Sequence, residues 1–141
     1  MITKARRKTL LNHVKMYNGI FREETTANWK VEKMAYSKAF VINLIRLYID
    51  RLKENNIPVE RVLLFGSYMK GTPREDSDID IAVISSAFKG DRYLDRRRIV
   101  PLRRGIDSRI EPIPFTPGDY ADGGMLIDEI KSTGQEIGDG Y

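Results

Sequence analysis

The chain has 141 residues with a net charge of +4, no cysteine and one histidine, His13. That length supports a single domain with an adequate core, and the lack of cysteine excludes disulfides, thiolate metal sites and cysteine nucleophiles. One histidine argues against zinc or triad chemistry built on imidazole.

No apolar run approaches membrane-spanning length, and the N-terminus lacks the apolar core of a secretory signal. The expectation is a cytoplasmic protein with no membrane association. Charge is unevenly spread. Residues 1–33 carry +5, residues 34–88 balance, residues 89–109 carry +5 and residues 110–141 carry −6. Two basic blocks and an acidic tail suit a triphosphate, RNA or an acidic protein partner, and they equally suit solvated helix faces.

In chain order, Leu10, Leu11, Val14, Tyr17 and Phe21 fall near helical spacing, so an amphipathic helix is expected from about Ala5 to Arg22. Residues 1–33 read as a basic extension, and Met34 opens a more regular domain over 34–141. From Ser37 to about Asn55 the pattern is helical: Phe40, Val41, Leu44, Ile45, Leu47, Tyr48 and Leu52 make one broad apolar face. Ser37 is an N-cap candidate, and Asn55-Asn56 before Pro58 is a stop.

Val62 to Phe65 reads as a buried strand, followed by the small pair Gly66-Ser67 and a short helix from Tyr68 to Lys70 that ends at Gly71. Small residues at such a turn let a bulky anion approach backbone N–H groups. A loop over 72–77 leads to a second apolar strand, Ile79 to Ile84, entered through Asp78-Ile79-Asp80. Residues two apart in a strand share a face, so Asp78 and Asp80 project together. Two carboxylates on one face repel unless a cation lies between them, and a hard divalent ion suits that place. Ser77 is placed to hydrogen-bond the loop ahead of the two acids. Lys70 and Arg74 lie close enough in sequence to reach phosphate held at Gly66-Ser67, or are ordinary surface charges.

Tyr93 to about Arg104 is expected as a helix with Tyr93, Leu94, Ile99 and Leu102 buried. Arg96, Arg97, Arg98, Arg103 and Arg104 would be exposed, and Pro101 would shorten or kink the helix. Ile110 to Phe115 reads as a third strand, placed at an edge by Pro112 and Pro114, with the acid Glu111 among apolar neighbours. A turn over Asp119–Gly124 and a helix from Met125 to Gly134 follow. Gln135-Glu136-Ile137 either adds a small strand or covers the core, and the last residues should fray.

Gly66-Ser67, ten residues, then Asp78-x-Asp80, each at a strand boundary, resembles the signature of the DNA polymerase β-like nucleotidyltransferases. The small size is similar to the minimal nucleotidyltransferase branch. The resemblance covers about residues 37 to 137 and implies an α/β fold: a small mixed sheet with helices packed against it. It implies that Asp78, Asp80 and Glu111 bind two Mg²⁺ ions and carry the catalysis, and that Gly66, Ser67, Lys70 and Arg74 bind the triphosphate. Glu111 stands where the family more often has aspartate; Asp107 is the substitute if Glu111 fails. The implied reaction moves AMP from ATP to a hydroxyl. Members of this branch are often antitoxins that modify a tyrosine of a HEPN-type toxin, which makes such a protein the expected partner, as a hetero- or homo-oligomer. The alternatives are an adenylyltransferase for a small molecule or RNA, and a module that neutralises its partner by binding alone.

Overall fold

The central strands form because their residues are apolar on both sides, and the helices form because theirs are apolar on one. In the computed structural model, which describes residues 36–74 and 76–138, the first helix is α1, Lys38–Glu54. Ser37 caps it by accepting from the Phe40 amide at 3.2 Å. Its end is a left-turning Asn56 (φ 62°), with the Asn55 amide returning to the Arg51 carbonyl at 3.2 Å. The strands are β1 (Arg61–Phe65), β2 (Ile79–Ile84), β3 (Ile110–Phe115) and β4 (Gln135–Glu136). The remaining helices are α2 (Ser67–Lys70), α3 (Arg92–Ile99), α4 (Pro117–Asp122) and α5 (Met125–Thr133), with a 3₁₀ turn, Val100–Arg103, following α3.

The sheet order is β3-β2-β1-β4. β1 runs antiparallel to both β2 and β4, whereas β2 and β3 are parallel. A parallel pair needs a crossover, and α3 with its 3₁₀ turn supplies it. The sheet is therefore mixed and the fold α/β, as expected. The outer side of β3 has no partner strand among the described residues, which is why two prolines are tolerated there.

Two cores lie on opposite faces of the sheet. On one, Val62, Leu64, Ile79, Ile81, Val83 and Ile110 pack with the buried stripe of α1. On the other, Leu63, Phe65, Ala82, Ile84 and Phe115 pack with Tyr120 of α4 and Ile127 and Ile130 of α5. β2 is thus covered on both faces from Ile81 onward, and its alternation places Asp80 on the second face, at the end away from Ile84.

The helix expected over 93–104 is shortened, as Pro101 predicts: α3 stops at Ile99, and Pro101 enters the 3₁₀ turn. Two expectations need correction. α3 does not bury Tyr93 and Leu94, which are 69% and 47% exposed; it buries Ile99, as expected, and Asp95. The turn expected at 119–124 is instead the helix α4, capped by Thr116 accepting from the Asp119 amide at 3.0 Å. Among the alternatives for 135–137, a strand is formed. The helix expected over 5–22, His13 and the boundary at residue 34 lie outside the described residues. No helix among the described residues is long and apolar enough to cross a membrane.

Candidate functional site

The site begins at Gly66, where β1 ends. Its backbone (φ 77°, ψ −149°) lies in a region that favours glycine. A Cβ there would collide with the Asp80 carboxylate, approaching Oδ2 far inside contact distance. The requirement for a small residue thus has two sources, the turn and the acid pressed against it. Immediately after, the Met69 and Lys70 amides bond back to the Gly66 carbonyl at 2.9 and 3.0 Å, closing the single turn of α2.

The loop between α2 and β2 is braced by Ser77, whose hydroxyl accepts from the Arg74 amide at 2.6 Å. The Ile79 amide then bonds to the Arg109 carbonyl at 2.8 Å, tying the entrance of β2 to that of β3. Asp78 stands exposed just ahead of β2, and Asp80 is half-buried at its second residue. Parallel pairing places Glu111 opposite Asp80. Asp80 and Glu111 therefore share the second face of the sheet, with Asp78 just ahead of β2 near enough for its charge to act on Asp80.

The charges of the other two acids act on Asp80. The Asp80 carboxyl is pushed up from 3.8 to about 6, first by burial, then by the charges of Asp78 and Glu111, with Lys70 acting in the opposite sense. A half-buried acid repelled by two others is the arrangement a divalent cation would relieve.

Glu111 is the member with partners already in place. Its Oε2 accepts from Arg96 Nη2 at 3.3 Å and its Oε1 from Arg103 Nη1 at 3.0 Å. Accordingly, no group of three or more acidic, histidine or cysteine side chains among the described residues has metal-holding geometry. Asp78 and Asp80 have the donor chemistry a hard divalent cation takes. Glu111 fits in part: a carboxylate offers about four lone-pair sites, so each oxygen keeps capacity for one further contact.

Lys70 reaches Glu129 of α5, Nζ to Oε1 at 3.3 Å, while its charge is also felt at Asp80. Arg74 is exposed in the loop. Asp107 has other partners than the acid cluster. It hydrogen-bonds Tyr36, whose hydroxyl is pushed up to about 12 by burial and then by Asp107, and it accepts from the Arg109 amide at 2.8 Å. An open hollow of about 640 Å³ runs along Val100–Ser108. It shares Arg103 with the site, but none of the three acids lines it.

The turning of Arg96 and Arg103 onto Glu111 was missed by sequence reasoning, which set all five arginines on an exposed face, toward a triphosphate, an acceptor, a partner or solvent. Their separation of seven residues, about two helical turns, was the available signal, and the proline between them obscured it.

Residues 45–112 match the family model of the nucleotidyltransferase domain. That span contains Gly66, Ser67, Asp78, Asp80 and Glu111. Among solved structures, one is a protein from Sulfolobus solfataricus described as a nucleotidyltransferase. It has a TM-score of 0.52 and 22% identity, with coverage of 71% of this chain and 81% of that one. Another is a toxin–antitoxin structure with AMP-PNP, at TM-score 0.48 and 25% identity, covering 66% of this chain and 72% of the other. No curated protein sequence matches. The first likeness shows the fold, and the family model supports a nucleotidyltransferase.

Proposed function

We propose, for a chain whose residues 45–112 match a nucleotidyltransferase domain, that it transfers AMP from ATP to a hydroxyl, the acceptor being a tyrosine of a partner HEPN-type toxin. The observation that carries the reaction is the acid cluster: Asp80 and Glu111 paired on one sheet face, Asp78 acting on Asp80 from just ahead of β2, and Gly66 packed against Asp80. The acceptor oxygen forms a bond to the α-phosphorus, the α–β phosphoanhydride bond breaks, and pyrophosphate leaves. Asp78 and Asp80 would hold two Mg²⁺ ions with Glu111 completing the set, and bound Mg²⁺ supplies positive charge to the attacking and leaving oxygens. Glu111, on the side of Asp80 away from Gly66, would receive the acceptor's proton. Gly66 and Ser67 would take the β- and γ-phosphates, with Lys70 and Arg74 neutralising them.

A macromolecular acceptor is favoured by α3. That helix reaches Glu111 through Arg96, while it turns Tyr93, Leu94 and Arg97 to solvent. Exposed aromatic, aliphatic and arginine side chains together suit a protein contact. The finer identity, a HEPN-type toxin, follows the family resemblance.

The test is incubation with Mg²⁺, labelled ATP and candidate acceptors, with label located by mass spectrometry. One AMP added to a tyrosine of the partner supports the proposal. Label on RNA or on an aminoglycoside would replace the acceptor, and tight partner binding without label would leave a stoichiometric module. Asp78→Asn and Asp80→Asn are each expected to abolish transfer while leaving circular dichroism unchanged; retained transfer in both would overturn the acid assignment.

A further inference from the structure

Glutamate at position 111 raises a geometric problem that the fold answers. Its side chain has one more rotatable bond than aspartate, and on an edge strand with 31% side-chain exposure it would sample several rotamers. Here it does not hang free. Arg96 donates to one oxygen and Arg103 to the other, at 3.3 and 3.0 Å. Arg103 Nη1 also donates to the Ile110 carbonyl at 2.7 Å, which locks that guanidinium to the strand carrying Glu111.

The segment bearing both arginines is pinned in turn from α1. The buried Tyr48 hydroxyl donates to the Ile99 carbonyl at 2.5 Å. Arg51 Nη1 donates to the carbonyls of Leu102 and Arg104 at 3.3 and 3.2 Å. Burial pushes the Tyr48 hydroxyl up, with the charges of Arg103 and Arg96 acting against it. A chain of contacts therefore runs from α1, through the crossover, to the Glu111 carboxylate.

We propose that Arg96 and Arg103 are positioning residues: they act through Glu111, holding its carboxylate in one orientation beside Asp80, and so let a glutamate do what a shorter acid would do unaided. This rests on the reading of Asp78, Asp80 and Glu111 as a divalent-cation site. Neither arginine needs to touch nucleotide or acceptor. Each carboxylate oxygen keeps a free lone pair, so the clamp orients Glu111 without consuming it.

The test uses the full chain and Mn²⁺ alone, with binding followed by electron paramagnetic resonance. Partners that orient a metal ligand typically contribute 10–100-fold to affinity, so Arg96→Ala is expected to weaken Mn²⁺ binding about tenfold. Arg97→Ala removes the same charge from the same helix without touching Glu111 and is expected not to weaken it. In a Glu111→Gln background, Arg96→Ala is expected to add nothing. The sign is decisive, because deleting a positive charge near a cation site would otherwise tighten binding. Unchanged or tighter binding in Arg96→Ala overturns the proposal, as does equal weakening in Arg97→Ala. Arg96→Gln and Arg103→Lys repeat the measurement with less disruption, and wild-type affinity in both overturns it as well. If Asp80→Asn leaves Mn²⁺ binding untouched, the cation-site reading itself fails, and the clamp's role falls with it.

Discussion

Gly66 shows how one residue can be constrained twice. Replacing it with alanine forces a side chain into a positive-φ backbone and against the Asp80 carboxylate at once. Strained backbone of this kind costs about 1–3 kcal/mol, so Gly66→Ala should lower the melting temperature and also displace Asp80, with loss of nucleotide affinity by calorimetry. An alanine variant with wild-type stability and affinity would refute both constraints. Asp80 makes a separate prediction for chelator-treated protein. Its folded pKa, about 6, lies above its ordinary 3.8, so between those values the native state binds more protons than the unfolded one. Stability contributed by this group therefore falls as pH rises through that window, then levels off. Asp80→Asn should melt higher than wild type at neutral pH, and the gap should close below pH about 4. A gap that does not change with pH would show that Asp80 is not strained.

At the scale of the element, the start of α3 depends on an acid the sequence pattern does not mark. Asp95 is 2% exposed. Its carboxylate accepts from the Lys89 amide at 3.0 and 3.2 Å and from the Gly90 amide at 3.0 Å. Read along the helix, Asp95 is one polar residue in a charged run, and nothing local distinguishes it from Asp91, the N-cap. Only the fold of the preceding loop back over the helix does so. Asp95→Ala would leave two amides without their partner. Hydrogen bonds to charged groups contribute about 1.5–3 kcal/mol each, so a loss on the order of 3 kcal/mol or more is expected in urea unfolding. Asp91→Ala removes one cap bond, to the Leu94 amide at 3.0 Å, and should cost about 1 kcal/mol. If the two losses prove equal, the buried staple has no special role.

For the whole molecule, β4 matters more than its two residues suggest. It covers the edge of β1, and the Ile137 amide extends the pairing to the Val62 carbonyl at 2.8 Å. The Ile137 side chain is buried in the larger core, and Arg61 pairs with Glu136 at 2.6 Å across the same edge. A chain ended after Gly134 would expose the hydrophobic edge of β1, and unprotected edges invite strand pairing between molecules. Self-association by light scattering, with a lower melting temperature, is the expected result. A truncated chain that remains monomeric and equally stable would show that β4 is dispensable.

What the sequence determined by itself is whatever depends on neighbours along the chain. The apolar run of β1, the Ser37 cap and the stripe of α1 all follow from local geometry, and each is found where it was read. The small pair at the end of β1 was legible for the same reason, although its packing against Asp80 was not. Tertiary structure alone decided which distant residues meet. The parallel register that sets Glu111 opposite Asp80, the turn of Arg96 and Arg103 onto that acid, and the exposure of Tyr93 and Leu94 depend on where the crossover lands on the sheet. That landing is fixed by contacts some fifty residues apart, such as Tyr48 with Ile99, and pairings at that separation leave no periodic trace along the chain.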